Sequence, residues 1–151
     1  RDPTNFGTST VATATTRRQI YATIFSSVSG TFTADEEINQ ATTGAVAKVI
    51  EFDSTNKILY YYQTRFPDVG TDTNGNLTAI SGANAITGQS SSASATPNTS
   101  SSATVNGVTF ASGYANPELA YDSGDIIYVE ERSPITRASD QTENVKLIIE
   151  F

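Results

Sequence analysis

TFTADEEINQATTGAVAKVIEFDSTNKILYYYQTRF, residues 31–66, decides the fold class. Apolar runs rich in Val, Ile, Tyr and Phe alternate with Asp, Asn, Ser, Thr and Gly, and no sustained 3.6-residue period runs through them. The stretch reads as a meander: a short strand at 37–40, a turn at Thr43-Gly44, a strand at 45–52, a turn at Asp53-Ser54-Thr55-Asn56 and a strand at 57–66. Asp and Asn side chains bond the backbone two residues on, which makes 53–56 a strong reversal. Within 45–52, Val46, Lys48, Ile50 and Phe52 are the more apolar set and the expected core face.

Working outward, QIYATIFSSV at 19–28 is a strand with both faces at least partly covered, Ile20, Ala22 and Ile24 on one side and Tyr21, Thr23 and Phe25 on the other. The Thr-rich residues before it read as a polar arm, with Arg17 and Arg18 at the strand entry. Downstream, Asn74-Gly75 favours a tight I′ hairpin turn, whose two central residues both take φ > 0. Residues 81–104, SGANAITGQSSSASATPNTSSSAT, almost lack large apolar side chains and are expected to form a flexible loop or extended arm. Residues 105–110 form a short strand with Asn106-Gly107 as a turn or bulge. Asn116-Pro117-Glu118 reads as a helix start, with an N-cap, a first-position Pro and an acid at the positive end of the dipole. Two closing strands, 125–130 and 144–151, flank a linker that holds Pro134.

Composition narrows the chemistry. The 151 residues contain no His, Cys, Met or Trp, which excludes Ser-His-Asp and Cys-His catalysis, His- or Cys-ligated zinc, haem or iron–sulfur ligation, and disulfides. No cofactor and no metal is expected. A formal net charge of −7 provides no basic field for nucleic acid or an anionic membrane surface, and no apolar run reaches the roughly 18 residues of a membrane span. The first residue, Arg1, suggests a fragment or processed chain.

Several constellations bear on function. Asp122, Asp125, Glu130 and Glu131 are acidic, but strand alternation puts Glu130 and Glu131 on opposite faces and no Trp is present to stack a sugar, so paired-acid glycoside hydrolysis is disfavoured. Asp68, Asp72, Asn74 and Asn76 lack the glycine position and terminal Glu of a calcium loop. Tyr60, Tyr61 and Tyr62 must show both faces of a strand, and with one nearby cation, Arg65, they read as core packing plus one exposed or interfacial ring rather than a base-stacking track. Arg132 and Arg137 flank Pro134, with Asp140, Gln141 and Glu143 nearby; the loop is either a solvated turn with local ion pairs or a stiffened docking surface.

Residues 123–151, SGDIIYVEERSPITRASDQTENVKLIIEF, resemble the C-terminal end of a baseplate wedge protein of T-even-type contractile-tailed phages. The matching features are Ser123-Gly124-Asp125, the strand at 126–129, the Glu130-Glu131-Arg132-Ser133-Pro134-Ile135 turn, Asp140-Gln141-Thr142-Glu143, and the closing strand ending in Phe151. RRQIYATIF at 17–25 is similar to the strand that precedes this ending. Residues from about 30 to 113 depart from the T-even pattern and look like the version carried by phages of cyanobacteria.

The resemblance implies a mainly β protein: a discontinuous β-sandwich-like core of 1–29 and 114–151, carrying an inserted small β module at 30–113, with one short helix. It also implies a longer N-terminus. The function it implies is a non-enzymatic structural subunit of the virion, assembled in the host cytoplasm, homodimeric and bound to other wedge proteins, with Arg132, Pro134, Arg137, Asp140 and Gln141 as interface candidates. A carbohydrate-binding or host-adhesin domain of a tail fibre is the alternative, argued for by the Ser/Thr/Asn-rich loops and against by the absence of Trp. A lytic or depolymerase enzyme needs an acid pair that no spacing here supports.

Overall fold

The computed structural model describes residues 2–13, 18–63, 70–120 and 123–124. Nine strands lie among them: β1 (Tyr21–Ser29), β2 (Glu37–Gln40), β3 (Ala45–Asp53), β4 (Ile58–Tyr62), β5 (Ile86–Gly88), β6 (Ser94–Pro97), β7 (Thr104–Val105), β8 (Val108–Thr109) and β9 (Tyr114–Ala115). The 31–62 meander forms as read, with β2 at the expected residues. The closing strands at 125–130 and 144–151 lie outside the described residues.

The sheet runs β4-β3-β2-β5-β6-β1-β9, and β1 also pairs with β4. That extra pairing closes six antiparallel strands into a barrel, with β9 added beside β1. The expected sandwich-like core is therefore corrected to a closed barrel, and no helix occurs among the described residues. β1 makes the closure because it is long enough to serve two partners. Residues from Tyr21 to Ile24 pair with β4, while Phe25, Val28 and Ser29 pair with β6.

Six strands enclose a narrow interior, so small side chains must alternate with large ones. Ala45, Ala47, Ala93 and Ala95 supply the small positions, and Phe25, Phe32, Ile38, Val49, Leu59, Tyr61, Ile80 and Ile86 fill the remainder. This overturns the expected core face of β3. Ala45, Ala47 and Val49 point inward, whereas Ile50 is 42% exposed. The pairing with β4 shifts between Val49 and Glu51, leaving Ile50 as the extra residue of a bulge. Beyond the bulge the facing reverses, and Phe52 reaches the core, edge-on to Phe32 at 5.5 Å. A second shift, between Phe25 and Val28 of β1, likewise returns Val28 to the core.

Segment 81–104 also differs from expectation. It carries β5 and β6, the two staves that join β2 to β1. Little burial is needed there because alanine and glycine suit the narrow interior, and hydrogen bonds replace bulk. Asn74-Gly75 is not a I′ turn: only Gly75 has positive φ, and the Asp72 carboxylate accepts the N–H groups of Asn74 and Asn76 at 2.8 and 2.9 Å. The I′ geometry occurs instead at Asn106-Gly107, φ 49° and 77°, joining β7 to β8.

The β7–β8 hairpin covers the outer face of β1 and β4. Val108 and Phe110 pack with Ala22, Ile24, Ile58 and Ala115 in a second buried cluster, which gives β1 its two covered faces. Asn106 Nδ2 donates to Asp53 Oδ2 at 3.3 Å, tying the hairpin tip to the β3–β4 turn.

Candidate docking region

Asn116-Pro117-Glu118 forms no helix because its backbone groups are taken by a distant segment. The N–H groups of Glu118 and Leu119 donate to the Arg18 carbonyl at 2.6 and 3.1 Å, and the Glu118 carboxylate accepts the Arg18 N–H at 3.1 Å. The partly buried Arg18 guanidinium donates to the carbonyls of Ile20 and Asn116. Burial pulls this guanidinium below its ordinary pKa, and the Glu118 charge opposes that shift.

The N-terminal arm completes the clip. Phe6 N–H donates to the Glu118 carbonyl at 2.8 Å, Ala120 N–H to the Thr4 carbonyl at 3.0 Å, and Thr4 N–H to Ser123 Oγ at 2.9 Å. Phe6 packs edge-on against Tyr21, which stacks on Tyr61 at 5.6 Å. An aromatic path thus runs from the arm to the barrel core. Arg18 stands at the strand entry, as the sequence suggests; Arg17 lies outside the described residues.

The predicted interface residues Arg132, Pro134, Arg137, Asp140 and Gln141 also lie outside the described residues, as do Asp68, Asp122, Asp125, Glu130 and Glu131. What the described residues fix is the root of that segment. Arm 4–6, Arg18, residues 118–120 and Ser123 hold the chain where it leaves the barrel.

Asp53 and Asp72 each hold a turn. Asp53 accepts from the N–H groups of Thr55 and Asn56 and from Asn56 Nδ2, and its side-chain bond with Asn56 leads the hydrogen bonds that lower its pKa. Asp72 is lowered first by the Asn76 N–H and then by that of Asn74. Among the described residues no three His, Cys, Asp or Glu side chains converge to hold a metal. Of the tyrosine run, Tyr61 is buried, while Tyr60 and Tyr62 are half-buried.

Two buried polar side chains were not legible as a pair of fasteners. Gln40 is fully buried, donates through Nε2 to the Asn84 carbonyl and accepts from Ser81 N–H and Thr43 Oγ1, each at 2.9 Å. Glu36 accepts from Thr33 N–H at 2.7 Å, Ser90 N–H at 3.1 Å, and Ser91 N–H and Oγ at 2.9 and 2.8 Å. Burial pushes its carboxyl upward, but the bonds from Ser91, Thr33 and Ser90 outweigh it and leave the pKa below the ordinary value. The signal lay in pairing a buried acid before β2 with the hydroxyl-rich Ser90-Ser91-Ser92.

The described residues thus form a closed barrel whose flanks are clipped together, with Asp53 and Asp72 engaged in turns. The family model for Bacteriophage T4, Gp8 matches residues 64–151, more than half of the sequence, and the chain belongs to this family. It is a structural subunit of the phage baseplate wedge, a virion component that contacts other baseplate proteins. The matched span includes β5 to β9 as well as the C-terminal segment. No curated protein and no solved structure matches the chain.

Proposed function

We propose that the chain is a non-enzymatic wedge subunit of a contractile tail, in a version like that of cyanobacterial phages, and that the 130–143 loop docks it onto neighbouring wedge proteins. The family match over 64–151 carries this reading, because it includes the whole loop. Pro134 stiffens the loop; Arg132 and Arg137 offer planar donors of the kind enriched in interface cores, with Asp140 and Gln141 beside them. A homodimer assembled in the host cytoplasm, with no nucleic-acid contact, agrees with the net charge of −7 and with the T-even resemblance. In this reading a core of 1–29 and 114–151 and a module of 30–113 build one barrel together, since β1 and β6 pair within it.

Analytical ultracentrifugation of wild-type and Arg132→Ala/Arg137→Ala chains, mixed with the other wedge subunits, tests the docking assignment. The double variant is expected to melt like wild type, because exposed ion pairs contribute at most about 1 kcal/mol, and to assemble at least tenfold more weakly, because truncating a desolvated interfacial Arg costs about 2 kcal/mol. Normal assembly would place the docking surface elsewhere. A tail-fibre adhesin would instead bind glycans and ignore the wedge subunits.

A further inference from the structure

The chain has two Asn-Gly pairs in described turns, and the structure treats them differently. Asn-Gly is the dipeptide in which the following backbone nitrogen most easily attacks the side-chain amide, because glycine has no side chain to obstruct the approach. At Asn74-Gly75 that nitrogen is engaged: Gly75 N–H donates to the Asp72 carbonyl at 3.0 Å, and Asp72 also holds the amides on either side. At Asn106-Gly107 the Gly107 N–H has no acceptor among the described residues, both residues are exposed, and the flanking strands β7 and β8 have two residues each. The tip at 106–107 lies outside the buried cluster that Val108 and Phe110 join, so it can flex locally without uncovering them.

We propose that Asn106 is a site of spontaneous deamidation and that its conversion loosens the β7–β8 hairpin from the barrel. The Gly107 nitrogen bonds to Asn106 Cγ, the Cγ–Nδ2 bond breaks, and Nδ2 leaves as ammonia, taking up through solvent the proton lost by the Gly107 nitrogen. Water then opens the cyclic imide at either carbonyl to give aspartate or isoaspartate. The balance is one water in and one ammonia out, with no change of oxidation state.

The product reverses a contact. Asn106 Nδ2 is now a donor to Asp53 Oδ2; after conversion two carboxylates face each other at the hairpin tip. The same hairpin brings Val108 over Ile24 and Ile58, so releasing it uncovers apolar surface on β1 and β4. The isoaspartate product adds a backbone atom to a two-residue turn whose φ values admit no such change.

The test is peptide mapping by mass spectrometry after incubating the full chain at mildly alkaline pH, native and in urea. In urea both sites are expected to convert at similar rates; in the native protein Asn106 should convert several-fold faster than Asn74. Equal native rates, or an unmodified Asn106 after the urea sample is fully converted, would overturn the site. Hydrogen exchange of Asn106→Asp tests the consequence: the amides of Val108 and Phe110 should exchange faster than in wild type while that of Val49 is unchanged. Wild-type protection at Val108 and Phe110 would refute the loosening.

Discussion

Ser91 grips both oxygens of the Glu36 carboxylate, its hydroxyl donating to Oε1 at 2.8 Å and its backbone N–H to Oε2 at 2.9 Å. No cation among the described residues takes part. A buried carboxylate is tolerable here because N–H and O–H dipoles from three residues replace its water. The bond joins the β5–β6 turn to the residue just before β2, and so locks two neighbouring staves of the barrel.

A depressed carboxyl pKa contributes stability that is complete above the unfolded-state value, ordinarily near 4.5, and is lost as pH falls through the lower folded-state value. Glu36→Gln places an NH2 group against N–H donors and should cost on the order of 2 kcal/mol at pH 7. Urea midpoints measured from pH 7 to pH 3 should show the gap between wild type and variant narrowing below about pH 4.5. A constant gap would mean that Glu36 does not carry this pH dependence.

Gly88 is where the Glu36 pocket has no room for a side chain. A Cβ there would lie 2.5 Å from Ser91 Oγ and 2.7 Å from both Glu36 oxygens. Gly88→Ala should lower stability by about 2 kcal/mol, and much less when Glu36→Gln is already present, because the two changes damage one network. Additive losses in a double-mutant cycle would show that the methyl group acts elsewhere.

The β3 bulge reverses the usual expectation for adjacent residues. Val49→Asp puts an unpaired charge at a fully buried position and should leave the chain unfolded or insoluble. Ile50→Asp, on the exposed bulge residue, should shift stability by no more than about 0.5 kcal/mol. Thermal melts of the two variants check this, and similar losses would remove the bulge.

The strands β2, β3 and β4 were readable because turn chemistry at Thr43-Gly44 and 53–56 brackets apolar runs of the right length. The facing of β3 was not, because hydrophobicity ranks Val46 and Ile50 above Ala45 and Ala47. Only barrel closure, which rests on the long-range pairings β2–β5, β1–β6 and β1–β4, reveals that the small residues face inward. The 81–104 segment hides its strands for the same reason: Ala93 and Ala95 carry little apolar area but fit a six-stranded interior. Asn116-Pro117-Glu118 has good local helix chemistry, and a backbone partner about a hundred residues away overrides it. The docking candidates rest on the motif at 130–143 and not on periodicity.

The clip between Arg18 and Glu118 also sets a path for mechanical load. The chain enters the barrel at one of these residues and leaves it at the other, and the two are joined backbone to backbone. Tension drawn between the N-terminal arm and the C-terminal segment is therefore met first by the Thr4–Ala120 and Phe6–Glu118 bonds, which lie nearest the two ends of an antiparallel bridge, and then by the bonds that Glu118 and Leu119 make to Arg18. The intervening strands hang outside that line of force, so a pull on the flanks reaches the barrel only after the bridge has parted.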